Sequence, residues 1–302
     1  MFTSALDVLQ GKIQSRLHAL ATECDGVLGV TAIDLVSGDL LFAVNAEVSF
    51  AVASVIKIAI MAALFHARAD GDCSLEEEHI ITASDIVGGS GALGKPSQEL
   101  PVTLTLGELI RLMIQESDNT ATNRCISVFG LAKMNAIITS GLGLTQTRVQ
   151  RVMFDTTGAA ERDAENISTP LEMARLLQRM HRRELRGSDE MLALLGLVAC
   201  NAGLQLPSGG FRGVVSATKP LASKAGQIPG VGAEAGIVLL PRHPFVIVVM
   251  GCFLPVGHET VSVSRAADIV CEDYFFKAET SNSYGATLPL RGGGGGGGDG
   301  RP

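Results

Sequence analysis

Short strand-like apolar runs sit near the two ends of this chain, and helical periodicities fill its middle. That segregation is the strongest constraint on the fold. A doubly wound parallel sheet needs strand and helix in regular alternation. Strands grouped early and late call instead for an antiparallel sheet in which the two ends of the chain meet. Val27 to Leu35 alternates, turns at Ser37-Gly38-Asp39 and resumes over Leu40 to Val44, which predicts a β-hairpin. Late runs at Ala222 to Ile228, Gly236 to Leu240 and Phe245 to Phe253 predict its partners, with Pro241-Arg242-His243-Pro244 as a turn. Leu6, Leu9, Ile13, Leu17 and Leu20 recur at helical spacing and predict an opening helix over residues 3–22. Val261, Ala266, Ile269, Val270 and Phe275 predict a closing helix over 259–277. Residues 54–68 read as a strongly apolar helix, and 70–200 as mostly helical. Within that stretch lie a loop at Gly88-Gly89-Ser90-Gly91, an irregular segment over 148–168, and helices at Pro170 to Glu184 and Asp189 to Cys200.

The expected fold class is α+β: an antiparallel sheet flanked by N- and C-terminal helices, with an inserted all-α domain. The expected division is a sheet domain of residues 1–50 plus 208–278, a helical domain of 51–207 and a disordered glycine-rich tail of 279–302. Seven consecutive glycines, Gly292 to Gly298, carry the last of these expectations. A cleft between the two domains is the default ligand site.

Composition removes several function classes. Hydrophobic residues are 46% of 302 and charged residues 18%, enough apolar material for a sizeable core. A net charge of −7 argues against a nucleic-acid backbone as partner. There is no Trp and only Tyr274 and Tyr284 among tyrosines, so a base-stacking platform is not expected. The six cysteines form no C-x-x-C and none lies at metal-ligand spacing from a His. They read as buried reduced thiols, and no cofactor or metal is expected. The apolar run from Phe50 to Phe65 is interrupted by Ser54 and Lys57 and is too short for a bilayer. The N-terminus lacks a basic n-region and an apolar h-region. The expectation is a protein with no membrane partner, cytoplasmic as the sequence stands, or periplasmic or secreted if a leader has been removed. No G-x-S-x-G elbow occurs, which disfavours an α/β-hydrolase.

Three short segments carry chemistry. In Ser54-Val55-Ile56-Lys57, residues three apart share a helix face. Desolvation on so apolar a helix disfavours the ammonium, and a neutral amine beside a hydroxyl can take its proton. A second Ser-x-x-Lys, Ser216 to Lys219, precedes Pro220 outside any apolar helical run and fails that context. Ser117-Asp118-Asn119 interrupts an apolar passage between helices. It reads either as a proton relay with a substrate-binding amide or as a plain helix cap. Lys224-Ala225-Gly226 places an amine on a strand beside a glycine that permits close backbone approach, or else an exposed strand lysine.

Taken together and in this order, the trio resembles the S-x-x-K, S-D-N and K-T-G signature of class A β-lactamases and penicillin-binding proteins. The resemblance extends over most of residues 1–278 and is closest in Ser117 to Asn123 and in Lys224-Ala225-Gly226 followed by Gly236-Ile237-Val238. It implies Ser54 as acylated nucleophile, Lys57 as its base, and Ser117 as proton donor to the leaving nitrogen. Lys224 joins these three in the catalytic set and, with Asn119, positions substrate. Ala225, Gly226 and Gln227 complete the substrate-binding segment, with the backbone N–H groups of Ser54 and Gln227 as oxyanion hole.

Two departures qualify that reading. Ala225 lacks the hydroxyl of the family's Lys-Thr-Gly. Where the family reads Thr-Arg-Leu-Asp-Arg-Trp-Glu, this chain reads Thr147-Arg148-Val149-Gln150-Arg151-Val152-Met153, so a thioether stands in place of the deacylating carboxylate. Asp155, Glu161 and Glu165 are the acidic residues of the same loop that could substitute. The resemblance implies a small-molecule substrate: a β-lactam amide hydrolysed weakly, or an ester or short D-amino-acid peptide. A third reading is a β-lactam sensor that acylates without turnover.

Overall fold

The computed structural model describes residues 3–154, 164–200 and 221–288. In chain order it begins with helix α1 (Ala5–Glu23) and strands β1 (Val27–Asp34), β2 (Leu40–Val44) and β3 (Phe50–Ala51). A single 3-10 turn, Ala53–Val55, leads into α2 (Ile56–Ala69). Then come β4 (Glu78–Ile81), β5 (Val102–Thr105), α3 (Leu106–Gln115), α4 (Asn119–Ser127) and α5 (Gly130–Ala136), which runs on as a π-turn over Ile137–Gly141. After β6 (Ile167–Ser168) follow α6 (Pro170–His181) and α7 (Ser188–Cys200). The chain returns to strand with β7 (Leu221–Ile228), β8 (Val231–Val238) and β9 (Phe245–Cys252). It closes with α8 (Glu259–Val270), a π-turn over Cys271–Phe275 and α9 (Phe276–Thr280).

The main sheet is antiparallel, in the order β2-β1-β9-β8-β7. The two ends of the chain meet in it, because β1 pairs with β9 from Val27↔Cys252 to Asp34↔Phe245. Successive side chains of a strand face opposite ways, and β9 shows what that means here. Phe245, Ile247 and Val249 join one core with Ile13 and Leu17 of α1, Val263 and Val270 of α8, and Phe275. Val246, Val248 and Met250 join a second core that is continuous with α2, α3 and α6. Both faces are therefore dry, and β9 reads as an unbroken apolar run rather than an alternating one. Phe275 stacks on Phe245 with ring centroids 3.8 Å apart, while Tyr274 meets Phe42 edge-on at 5.0 Å. Helix α2 is apolar on every side, and every residue from Ile56 to Phe65 is buried. A helix of that kind is stable only when surrounded.

The α+β class and the flanking helices are as the sequence implies. Four details differ. Residues 70–105 are not mainly helical: β4 and β5 form a two-stranded antiparallel pair, and four residues are too few to show a period. Strand β8 starts at Val231, not Gly236, because Pro229-Gly230 makes a tight hairpin with Ile228 opposite Val231; its Gly and Ala residues conceal the pattern. The closing helix is interrupted by the π-turn. Residues 279–288, expected as part of the tail, are structured: a Ser281–Thr287 bridge folds back and Ser283 O accepts from the Leu6 N–H at 3.0 Å. The glycine run Gly292 to Gly298 lies outside the described residues. Of the cysteines, Cys125 and Cys271 are buried, but Cys24, Cys73 and Cys252 are partly exposed. Among the described residues, no helix is long and apolar enough to cross a membrane.

Candidate active site

The three sequence segments converge on one cleft. Ser54 lies in the 3-10 turn at the mouth of α2, partly exposed. The residue before it, Ala53, has φ 44°. A left-handed non-glycine residue costs about 1–2 kcal/mol, so the packing around this turn holds Ser54 in a conformation the local sequence does not prefer.

Lys57, one helical turn on, is fully buried. Its Nζ contacts Ser117 O at 2.8 Å, Ser117 Oγ at 3.1 Å and Asn119 Oδ1 at 2.9 Å. None of these partners is Ser54, so the direct Ser-to-Lys contact expected from helix spacing is replaced by one to the second motif. Burial pushes the Lys57 amine well below its ordinary value; the nearby Lys224 ammonium adds to this and Asp118 opposes it. A neutral amine keeps two N–H groups, and its lone pair can accept from the Ser117 hydroxyl.

Ser117 itself takes φ 53°, at the break between α3 and α4. Asp118 caps α4, accepting from the Ala121 N–H at 2.8 Å, and also holds Leu93 N–H at 2.9 Å. The cap reading and the site reading of this triplet are thus both true: the Asp fixes the turn and leaves Ser117 and Asn119 facing the lysine. Asn119 Nδ2 donates to Gly88 O at 3.0 Å and its backbone N–H to Ser90 O at 3.1 Å. That loop lies close: a side chain at Gly91 would collide with the Asp118 carboxyl.

Lys224 reaches in from β7, donating to Ser117 Oγ at 3.0 Å and Ala225 O at 3.1 Å. Ser117 Oγ thus sits between two amines. Gly226 is required for this approach, since a Cβ there would lie 2.6 Å from Ser54 N and 2.8 Å from Val52 O. Gln227, next on the strand, is exposed, and its Nε2 donates to Glu259 at 3.0 Å.

Ser54 opens on both lobes of the cleft, of about 520 and 600 Å³, each also lined by Ser90 and Gln227. Met153 and Phe154 border the larger lobe. The Met153 backbone is clamped by the Asn123 amide, which donates to its carbonyl at 3.0 Å and accepts from its N–H at 2.7 Å. Phe154 has φ 54° and a half-exposed ring. Glu165 also borders this lobe, but its two oxygens accept from Arg151 at 2.8 and 3.0 Å. Asp155, Glu161, Ser216 and Lys219 lie outside the described residues. Sequence reasoning did not single out Ser90, Phe154, Glu234 or Glu259. Only Ser90 had a signal, the glycine-rich loop around it. Among the described residues, no group of three His, Cys, Asp or Glu side chains is placed to hold a metal ion.

Comparison with known proteins gives a consistent picture. The pattern of the "Beta-lactamase enzyme family" matches residues 12–266. Beta-lactamase CTX-M-4 of Salmonella typhimurium is 30% identical over 181 residues, which is 60% of this chain and 61% of that protein's length. The beta-lactamase of Sphaerobacter thermophilus DSM 20745 superposes with a TM-score of 0.72 at 25% identity, over 89% of this chain and 97% of the other. A mutant of PBP-A, solved as an acyl-enzyme complex with penicillin-G, superposes with a TM-score of 0.73 at 24% identity, over 88% and 95%.

Proposed function

The chain belongs to the beta-lactamase enzyme family, and on that premise we propose that it is a serine hydrolase acting through an acyl-Ser54 intermediate. The observation that best supports this is Ser117 Oγ lying 3.1 Å from Lys57 Nζ and 3.0 Å from Lys224 Nζ, beside the turn that carries Ser54. In acylation, Ser54 Oγ bonds to the substrate carbonyl carbon and its proton passes to the Lys57 amine. Collapse of the tetrahedral intermediate breaks the carbon–nitrogen bond. The leaving nitrogen takes the Ser117 proton, and Lys57 restores it. The backbone N–H groups of Ser54 and Gln227 take the oxyanion. Asn119 and Lys224 orient the substrate, with Ala225 and Gly226 forming the strand wall beside it.

Release of the acyl group is the weak step. Met153 cannot activate water. Both Glu165 oxygens accept from the one Arg151 Nη2 group and are already occupied there. Lys57 therefore serves both half-reactions. A β-lactam amide is taken as the acylating substrate, cleaved with slow deacylation. Met153 specifically favours a second reading, an esterase or D-amino-acid peptidase, because an ester acylates readily and does not leave the same long-lived product.

Intact mass spectrometry after adding penicillin G or a cephalosporin tests this. A covalent adduct on Ser54 that decays slowly is expected, and Ser54→Ala should form none. An adduct retained in that variant would remove the nucleophile assignment. Hydrolysis of p-nitrophenyl esters without any β-lactam adduct would select the second reading.

A further inference from the structure

The smaller lobe of the cleft runs from Ser54 and Ser117 past β7 to the start of α8. Among the described residues β7 is the last strand of the sheet, and the turn bearing Ser54 lies against it at Gly226. In this lobe the first residue of α8, Glu259, is 2% exposed. Its carboxylate accepts from Gln227 Nε2 at 3.0 Å, Gly230 N–H at 3.1 Å and Gly257 N–H at 3.0 Å. Hydrogen bonds from its own and the Gly230 N–H hold it below the usual carboxylate range. A helix N-terminus with free amides is where an incoming anion would be stabilised. Here the first residue of the helix is itself an anion, and its carboxylate consumes three donors from outside α8, on Gln227, Gly230 and Gly257.

The same contact fixes Gln227. A carboxylate can only accept, so the amide must present its nitrogen to Glu259 and leave its carbonyl oxygen for other partners. Glu234, also buried, adds a second carboxylate to the lobe and accepts from Ser223 Oγ at 3.0 Å. Ala225 supplies no hydroxyl. Lys224 gives donors to Ser117 Oγ and the Ala225 carbonyl.

We propose that this lobe selects against a carboxylate on the leaving-group side of the substrate and prefers a neutral amide or an ammonium there, with Gln227 and Glu259 as the specificity-determining pair. The proposal rests on the acyl-Ser54 reading above. It predicts that carboxylate-bearing β-lactams, penicillin G included, form the Ser54 adduct slowly, and that amide- or amine-bearing esters acylate Ser54 faster.

The test uses three phenylacetylglycyl aryl esters that share one acyl group. Their leaving groups are meta-hydroxybenzoate, meta-hydroxybenzamide and meta-(aminomethyl)phenol. All three give the same acyl-Ser54 mass. The benzamide and amine esters should exceed the benzoate ester in kcat/KM by on the order of tenfold or more, since like-charge placement is strongly penalised. In Glu259→Ala, which frees the three donors, that preference should shrink severalfold or reverse. In Gln227→Leu, which keeps the carboxylate and removes the amide, the benzamide advantage should fall while the amine advantage persists. A wild-type enzyme that acylates from all three equally, or prefers the benzoate, overturns this proposal and leaves acyl transfer intact. Failure of all three to acylate overturns the acyl-Ser54 reading instead.

Discussion

An isolated ammonium buried among the side chains of α2 costs several kcal/mol after relaxation, so the proton on Lys57 is the residue-level quantity that matters most. Its amine titrates well below the ordinary lysine value. Acylation should therefore decline as pH falls through that lowered value, in stopped-flow measurements of adduct formation. Lys57→Ala should lose about 100-fold or more in acylation rate and lose this pH limb as well. Stability follows the same shift. Between the lowered native value and an unfolded value of about 10.4, the unfolded chain binds the extra proton, so stability rises with pH. Relative to Lys57→Met, the wild type should gain stability as pH climbs across that window and show its full deficit below it, as thermal melts at several pH values will read. Met153→Glu should shorten the life of a penicillin adduct, measured by mass decay, because it returns a carboxylate to the position beside the Asn123 clamp. The three motifs were legible because their residue types are rare in apolar surroundings. Glu259 was not: in sequence it is one acidic residue among 31, and only the folded turn at Gly230 gives it a role.

For single elements, the decisive feature is the approach of β7 to the turn bearing Ser54. A methyl at Gly226 would collide with backbone atoms, not with a movable side-chain tip. Gly226→Ala should therefore cost about 1–3 kcal/mol in stability and depress acylation out of proportion to that loss. A denaturant melt paired with adduct formation checks both. The Lys224-Ala225-Gly226 segment was readable as a strand with a close-approach glycine, yet nothing local says what the glycine approaches. The same limit hid β4, β5 and the first five residues of β8, whose short length and small residues carry too little period. What long-range pairing decides, local pattern cannot report.

Across the whole molecule, the two cores are joined by a sheet whose halves come from opposite ends of the sequence. Phe275, stacked on Phe245, fastens the closing helices to one face of it. Phe275→Ala should cost about 3–5 kcal/mol in equilibrium unfolding and weaken the far cleft only through that loss. The α+β class was visible in the order of periodicities along the chain. The meeting of both ends in one sheet was inferred from that order, and the ordered return of residues 281–288 against α1 was not. From Phe245 to Gly251, strand β9 has water on neither side, so none of those seven positions can take a charge without burying it. Variation that retunes this scaffold to new chemistry is thereby steered away from the centre of the sheet. Room for change lies instead at exposed cleft positions such as Gln227, where an altered side chain disturbs a guest molecule and spares the host.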